Sequence, residues 1–346
     1  MSPGQSRTLR IAISLGLAAL LLYFFLKNLD FHAVGKAIRE ADAAWLVTAL
    51  VASLLIIPFR TWRWMRLLRH AGRVRFLDAF SATSIGFAAS TLLPARAGEV
   101  VRPVALSRSG QIPLAPCLAS VGLERLLDLA TVILFFVVYA VGGWAPEGLP
   151  AKDMSALALL RRSAFLVGAG TAAGLAFLAF LAANPARMDS ILGRLVRPFP
   201  ERWHARLLGV VRSFVAGLGG LRTKSDVLVM TASSLGLWLL IAFQVHATLR
   251  AFSLDFPFPV SFFVLTSAVL GLAVPTPGGV GGYHKAVAIA LTAFYAVSDS
   301  KAAAFAIVSH AISFVPVTVI GLLFLLAGGL SLGTLAADPE ARPEKE

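Results

Sequence analysis

The sequence predicts an all-α polytopic membrane protein: six transmembrane helices, two helical hairpins that are either re-entrant or spanning, and an inverted repeat. Three observations lead there. Hydrophobic residues make up 58% of the 346-residue chain and charged residues 14%, at a mean hydropathy of +0.80, whereas globular domains carry about 25% charged and about 45 to 50% apolar residues. Several apolar stretches are long enough to cross a bilayer, and the basic residues gather between them. This composition excludes a soluble enzyme and a disordered scaffold. The net charge of +13 then orients the chain and attracts anionic lipid headgroups, and it does not point to nucleic acid. The single cysteine, Cys117, excludes an intrachain disulfide framework and a four-cysteine zinc site, and reads as a packing residue.

The first apolar run, Leu9 to Leu26, is longer than the apolar region of a signal peptide, about 7 to 15 residues. Lys27-Asn28-Leu29-Asp30 offers no small-residue cleavage site after it, so a retained helix is expected. Five further spans are expected at Ala43 to Phe59, Pro113 to Val141, Ser163 to Ala183, Val227 to Leu249 and Ala302 to Ala327. Phe76 to Leu93 and Phe258 to Pro275 each run into a Pro/Gly break, followed by second arms at about Gly98 to Leu106 and Gly281 to Val297. Each such pair reads as a helical hairpin inserted from one side. Asn28 to Asp42 and Gly142 to Arg162 read as loops.

Lys and Arg in short loops mark the cytoplasmic face. Arg60, Arg63, Arg66, Arg69, Arg73 and Arg75 follow the second span, and a second basic group lies between Arg187 and Lys224. Both fall inside if the N-terminus is inside, so the expected protein is a multi-pass one of a bacterial-type inner membrane with cytoplasmic termini. Residues 1–330 are expected to form one membrane domain and 331–346 a disordered tail. Arg60, Arg63, Arg66 and Arg69, interleaved with Trp62 and Trp64, read as an interfacial anchoring band. Pro185 to Lys224 has the character of an amphipathic surface segment.

An offset of 183 residues aligns Pro94 with Pro277, Gly98 with Gly281, Arg102 with Lys285 and Val104 with Val287. The repeats so defined cover about 43–141 and 227–329, linked by 142–226, and run in opposite senses through the membrane. Paired broken segments of this kind point to a transporter binding site. Broken backbone at membrane depth must be buried in protein or line a wet cavity, because lipid cannot satisfy its N–H and C=O groups. Pro277, Gly278, Gly279 and Gly281 leave bare backbone that can approach a headgroup; a tight turn is the competing use of the same residues.

The ionisable groups among apolar neighbours carry the most information. Arg96, Glu99 and Arg102 recur every third residue, and Glu124, Arg125 and Asp128 share one face of the third span. Each charge costs roughly 2.5 to 3.5 kcal/mol at mid-membrane, so these six unpaired would cost on the order of 15 to 20 kcal/mol. Three positive and three negative charges balance, either as an ion-pair network pinning the hairpin to the helix or as a headgroup site. In the second reading Arg96 and Arg102 hold phosphate, which the planar guanidinium bonds through two oxygens, and the carboxylates orient them. His284 and Lys285 after the Gly-rich break are thinner candidates for substrate binding, and His310 reads as a satisfied polar residue in a helix contact. No His-Glu-x-x-His pair, Gly-x-Ser-x-Gly turn or P-loop occurs.

Three ordered blocks resemble the signatures of the lysylphosphatidylglycerol synthase transmembrane region family, flippase-like integral membrane proteins. They are Pro94-Ala95-Arg96-Ala97-Gly98-Glu99 with Arg102, Glu124-Arg125 with Asp128, and Pro275-Thr276-Pro277-Gly278-Gly279-Val280-Gly281. The likeness runs from about Leu9 to Ala327 and implies a membrane domain that moves lipid between leaflets, including polyprenyl-linked or hopanoid-type lipids in stand-alone members. The chain reads as such a member, without the soluble domain that makes aminoacyl esters in the synthases. It departs from the family at His284, where a Glu is frequent. The leading expectation is therefore a flippase for an amphipathic lipid, not itself an enzyme, with no cofactor or metal. Its partners would be membrane lipids with anionic headgroups, a second copy or a lipid-modifying enzyme. The alternatives are a polytopic membrane enzyme acting on a lipid-linked substrate, or a non-transporting partner subunit.

Overall fold

A computed structural model describes residues 29–93, 97–109, 112–144 and 223–328 without interruption, with scattered positions between 16 and 27 and between 162 and 173, and Pro200. Among the described residues the chain is helical, with no strand. The continuous helices are α1 (Phe31–Arg39), α2 (Ala43–Leu68), α3 (Phe76–Leu92), α4 (Gly98–Arg108), α5 (Leu114–Gly142), α6 (Lys224–Ala251), α7 (Val260–Leu272), α8 (Gly282–Tyr295) and α9 (Asp299–Ala327), with a 3₁₀ turn at Pro277–Gly279.

Four of these helices, α2, α5, α6 and α9, are long and apolar enough to cross a membrane. They contain the spans expected at Ala43 to Phe59, Pro113 to Val141 apart from its first residue, Val227 to Leu249 and Ala302 to Ala327. The expected spans Leu9 to Leu26 and Ser163 to Ala183 lie largely outside the described residues, as do the segment Pro185 to Lys224 and the tail 331–346. Helix α2 continues past Phe59 to Leu68, through Pro58 and the basic residues. Asn28 to Asp42 is not simply a loop. It holds α1, whose first turn is capped by the Asp30 carboxylate accepting from His32 N at 2.9 Å and Ala33 N at 3.1 Å. Asp42 caps α2 in the same way, accepting from Ala44 N at 2.8 Å, and Thr223 and Asp226 form a capping box on α6.

Between the long helices sit two pairs of shorter ones, α3 with α4 and α7 with α8. Helices α4, α7 and α8 have 11, 13 and 14 residues, lengths of about 17 to 21 Å at 1.5 Å per residue, short of a hydrocarbon core of about 30 Å. Glycines let the arms of each pair touch. A Cβ on Gly98 would lie 1.7 Å from Gly86 O, and one on Gly282 would lie 2.4 Å from Gly271 O.

Helices α2 and α6 are antiparallel. Asp42 N donates to Ala251 O at 2.8 Å at one end, Phe59 meets Gly236 between, and Arg69 pairs with Asp226 at the other end. Around them α3 packs on α9, α7 on α5, α4 on α5 and α8 on α9. The larger core joins α5 to α7 through stacked rings, Phe135 with Phe262 at 4.3 Å and Tyr139 with Phe263 at 4.8 Å, and to α8 through a 2.5 Å hydrogen bond between the Tyr139 and Tyr295 hydroxyls. A smaller core packs Cys117, fully buried, beside Trp64, Leu68 and Leu106, the role expected of it. Val47, Val51, Leu54 and Leu55 on α2 and Val315, Val319 and Leu323 on α9 are exposed. Apolar faces of this extent suit contact with lipid chains.

The Gly98→Ala and Gly282→Ala variants are expected to lose about 1 to 3 kcal/mol of stability each, because their Cβ atoms have no room. Gly122→Ala, where nothing lies within 4 Å of an added Cβ, is expected to unfold like the unaltered protein. Thermal unfolding in detergent, followed by helical circular dichroism, reads the difference.

Candidate functional site: a buried arginine cluster

Four arginines and two carboxylates meet in the interior of the bundle. Helix α2 contributes Arg60 and Arg63, α4 contributes Arg102, and α5 contributes Glu124, Arg125 and Asp128. Glu124 accepts from Arg102 Nη1 with both oxygens at 3.0 Å and from Arg125 Nη2 at 2.9 Å. Nη1 of Arg60 and Nη2 of Arg63 lie 3.4 Å from the same carboxylate. Asp128 accepts from Arg63 Nη2 at 2.7 Å and from Trp238 Nε1 of α6 at 2.9 Å, and it pairs with Arg125 at 3.1 Å and Arg60 at 3.4 Å. Arg63 Nη1 donates to Ser234 Oγ at 3.0 Å, so α6 closes the cluster from its far side.

Aromatic rings wall it. The Arg102 guanidinium lies 3.9 Å from the centre of the Trp64 ring, and that of Arg60 5.1 Å from Phe87, distances at which cation–π attraction acts. Trp64 is held in turn by its Nε1 donating to Ser120 Oγ at 2.8 Å. Arg63 and Glu124 are 0% exposed, Arg102 and Asp128 4% and Arg60 6%; only Arg125 opens partly to the surface.

Sequence reasoning expected a balanced set of Arg96, Glu99, Arg102, Glu124, Arg125 and Asp128, with Arg60 and Arg63 apart from it in an interfacial band. The structure divides that band by helix periodicity. Arg60, Arg63, Trp64 and Leu67 follow i, i+3, i+4, i+7 and are buried, while Trp62, Arg66 and Arg69 face outward. The inner stripe carries two arginines into the cluster, so four guanidinium groups face two buried carboxylates, with Glu99 of α4 also within electrostatic reach of Arg125. Five of their nitrogens, Nε of Arg60, Arg63, Arg102 and Arg125 and Nη2 of Arg102, are buried without a hydrogen-bond partner. A cationic cluster with unused, buried donors is what a polyanionic group needs on arrival.

Of the residues expected at the site, Arg102, Glu124, Arg125 and Asp128 come together. Glu99 is half-buried one turn before Arg102 on α4. Arg96, with Pro94 and Ala95, lies outside the described residues. The second break forms a separate locus. Gly278 and Gly281 adopt φ of 59° and 83°, Gly279 one of 69°, which explains the run of glycines following Pro277. Gly278 lies against Thr91 at the end of α3, where an added Cβ would be 3.2 Å from Thr91 O, so the two broken segments approach each other. His310 Nε2 donates to Gly278 O at 2.9 Å, and Gly281 N donates to His284 Nδ1 at 3.4 Å. These are the satisfied contacts expected of His310, and both histidines pin the break. Lys285 is exposed and stands apart from them.

Spanning helices around a buried charge cluster and interrupted helix pairs define a multi-pass integral membrane protein. The chain belongs to the Lysylphosphatidylglycerol synthase TM region family, whose profile matches residues 10–321. It is similar to Glycosyltransferase AglD of Haloferax volcanii, 28% identical over 370 residues that cover 99% of this chain and 58% of AglD. Two UPF0104 membrane proteins of Methanothermobacter thermautotrophicus match at 23% over 319 residues, covering 88% of this chain and 91% of the relative, and at 26% over 295 residues, covering 84% and 85%. The similarity to AglD corrects the expectation of a non-enzyme, because a relative aligned along 99% of the chain bears the name of an enzyme.

Glu124→Gln is expected to destabilise the fold by about 3 to 5 kcal/mol, since it leaves the four guanidinium groups with Asp128 as their one buried carboxylate partner. Arg60→Gln, which reduces the positive excess, is expected to be clearly milder. Denaturant unfolding of both variants in the same detergent measures the order; Arg60→Gln as the more damaging change would contradict the charge count.

Proposed function

We propose that the arginine cluster binds the phosphate group of an amphipathic lipid, and that the protein carries this headgroup between leaflets in the service of glycosyl transfer. The observation that carries this reading is a buried cluster in which guanidinium groups outnumber carboxylates and five of their nitrogens have no hydrogen-bond partner. A lipid phosphate brings one or two negative charges and two or three non-bridging acceptor oxygens, which surplus cations and unused donors of this kind can take up. Arg60 lies eight residues before the end of α2, about 12 Å along the helix, so the site is a fraction of the bilayer away from the face that bears Arg66, Arg69, Arg73 and Arg75. That face is cytoplasmic in this reading, with both chain ends inside.

Movement between leaflets needs two arrangements of similar energy, and an inverted repeat provides them by exchange of the two halves. Helices α2 to α5 have 26, 17, 11 and 29 residues, and α6 to α9 have 28, 13, 14 and 29. The packing of α3 on α9 has its counterpart in α7 on α5, that of α4 on α5 in α8 on α9, and the glycine contact of Gly86 and Gly98 in that of Gly271 and Gly282. The antiparallel α2 and α6 support opposed senses for the two halves. The short arms then enter as re-entrant hairpins, with Thr91 and Gly278 at their meeting point, and one half rocks on the other to open the cluster.

The likeness to AglD favours a second reading, in which the chain serves sugar transfer directly and the cluster holds a lipid phosphate as the acceptor. Glu124 and Asp128, each engaged by several arginines, then orient the cations and do not act as free bases.

Proteoliposomes loaded with a fluorescent prenyl phosphate separate these readings. Leaflet exchange accelerated by the protein and reduced at least about tenfold by Arg102→Gln is the expected result. Sugar incorporated into the lipid from a nucleotide sugar, without acceleration of exchange, would favour the second reading. Absence of both results with folded protein would refute the assignment of a lipid phosphate to this cluster.

A further inference from the structure

The second half of the chain holds a charge-free counterpart of the arginine cluster. Arg60 of α2 lies 3.4 Å from Asp128 of α5; at the corresponding place Ser313 of α9 donates to Gln244 of α6 at 3.2 Å. Ser309, His310 and Ser313 each follow Glu124, Arg125 and Asp128 by 185 residues, and Gln244 follows Arg60 by 184. Ser309 Oγ is hydrogen-bonded to the Tyr283 hydroxyl at 3.0 Å, and the Tyr283 and His310 rings are 4.9 Å apart. The group is therefore continuous: an amide, hydroxyls, a phenol and an imidazole, with no carboxylate or guanidinium among these contacts.

Its polar capacity is not used up. Gln244 is 1% exposed and its Nε2 has no partner. A buried amide nitrogen without an acceptor is costly in a membrane interior and marks a place where a ligand oxygen fits. Ser234, which touches the arginine cluster through Arg63, and Gln244 lie ten residues apart on α6, about 15 Å along the helix and about half the thickness of the hydrocarbon core. Gln244 lies nearer the end of α6 opposite the basic face.

We infer that this amide and hydroxyl cluster is a second headgroup station, selective for an uncharged, hydroxyl-rich group such as a hexose on the lipid phosphate. The inference rests on the lipid-phosphate reading of the arginine cluster and adds to it the part of the headgroup that distinguishes a glycosylated lipid from a bare one. Gln244 and the neighbouring serines supply donors and acceptors of the kind that pair with sugar hydroxyls. The missing charges at positions matching Glu124, Arg125 and Asp128 make the station indifferent to phosphate.

The full chain in nanodiscs, titrated with a fluorescent prenyl phosphate and with the same lipid bearing a hexose on its phosphate, tests this. Gln244→Leu and Ser313→Ala are expected to weaken the hexosyl lipid at least about tenfold and to leave the prenyl phosphate unchanged, whereas Arg60→Gln weakens both. Should Gln244→Leu fail to fold, the milder Ser313→Ala decides. Equal effects on the two probes, or no effect on either, would overturn the second station. Binding of prenyl phosphate alone by the unaltered protein would overturn it while leaving the arginine cluster's role intact, and binding of neither probe would overturn both.

Discussion

Glu124 is the point on which the interior converges. It is fully buried and engaged by arginines from α2, α4 and its own helix, and Asp128, one turn further on, adds Trp238 of α6. Removing such a charge from water is expensive, and only dense pairing makes it tolerable. Much of the first half serves that need. The contact of Gly86 with Gly98 brings α4 close enough for Arg102 to reach across, Trp64 lies under its guanidinium, and α6 completes the shell through Ser234 and Trp238. Two buried carboxylates hold four arginines in place and leave five of their nitrogens without a hydrogen-bond partner, the feature on which the proposed phosphate site rests.

The two halves resemble one another in helix order, packing and glycine contacts, yet differ in chemistry at matching places. Where the first half has Arg60, Glu124, Arg125 and Asp128, the second has Gln244, Ser309, His310 and Ser313. The proposed exchange of arrangements between the halves requires similar packing, and the like glycine contacts of Gly86 with Gly98 and Gly271 with Gly282 are consistent with it. Selectivity requires different side chains. The broken segments meet at Thr91 and Gly278, so a displacement of one hairpin is felt directly by the other. His284 and His310 tie the second break to α8 and α9 without any charge of their own being needed.

Much of this was legible in the sequence, for identifiable reasons. Long apolar runs bounded by basic residues locate α2, α5, α6 and α9, because helix length and bilayer thickness are tied by geometry. Pro and Gly locate the ends of the paired arms to within a few residues, because neither continues a helix readily. Charges in an apolar stretch single out Arg102, Glu124 and Asp128. The reading failed where a local pattern had two uses. Arg60 and Arg63 share a segment with outward-facing Arg66 and Trp62, and composition alone assigns the whole segment to the interface; the i, i+3, i+4, i+7 spacing of Arg60, Arg63, Trp64 and Leu67 was the signal that separates them. Helix α1 was missed because nine residues with mixed charge look like a loop, although Asp30 offered an N-cap. Gln244 and Ser313 were invisible as a pair, since uncharged polar residues in a long helix carry no mark of their partner 69 residues away.

The most direct measurement is a cryo-EM map of the full chain in nanodiscs containing a phosphate-bearing prenyl lipid. Phosphorus density within hydrogen-bonding reach of Arg102 Nη2 and Arg60 Nε, with Glu124 still paired, is the expected result. A headgroup resolved elsewhere on the protein, with the four arginines undisturbed and dry, would contradict the assignment of the cluster as the place where the lipid is held.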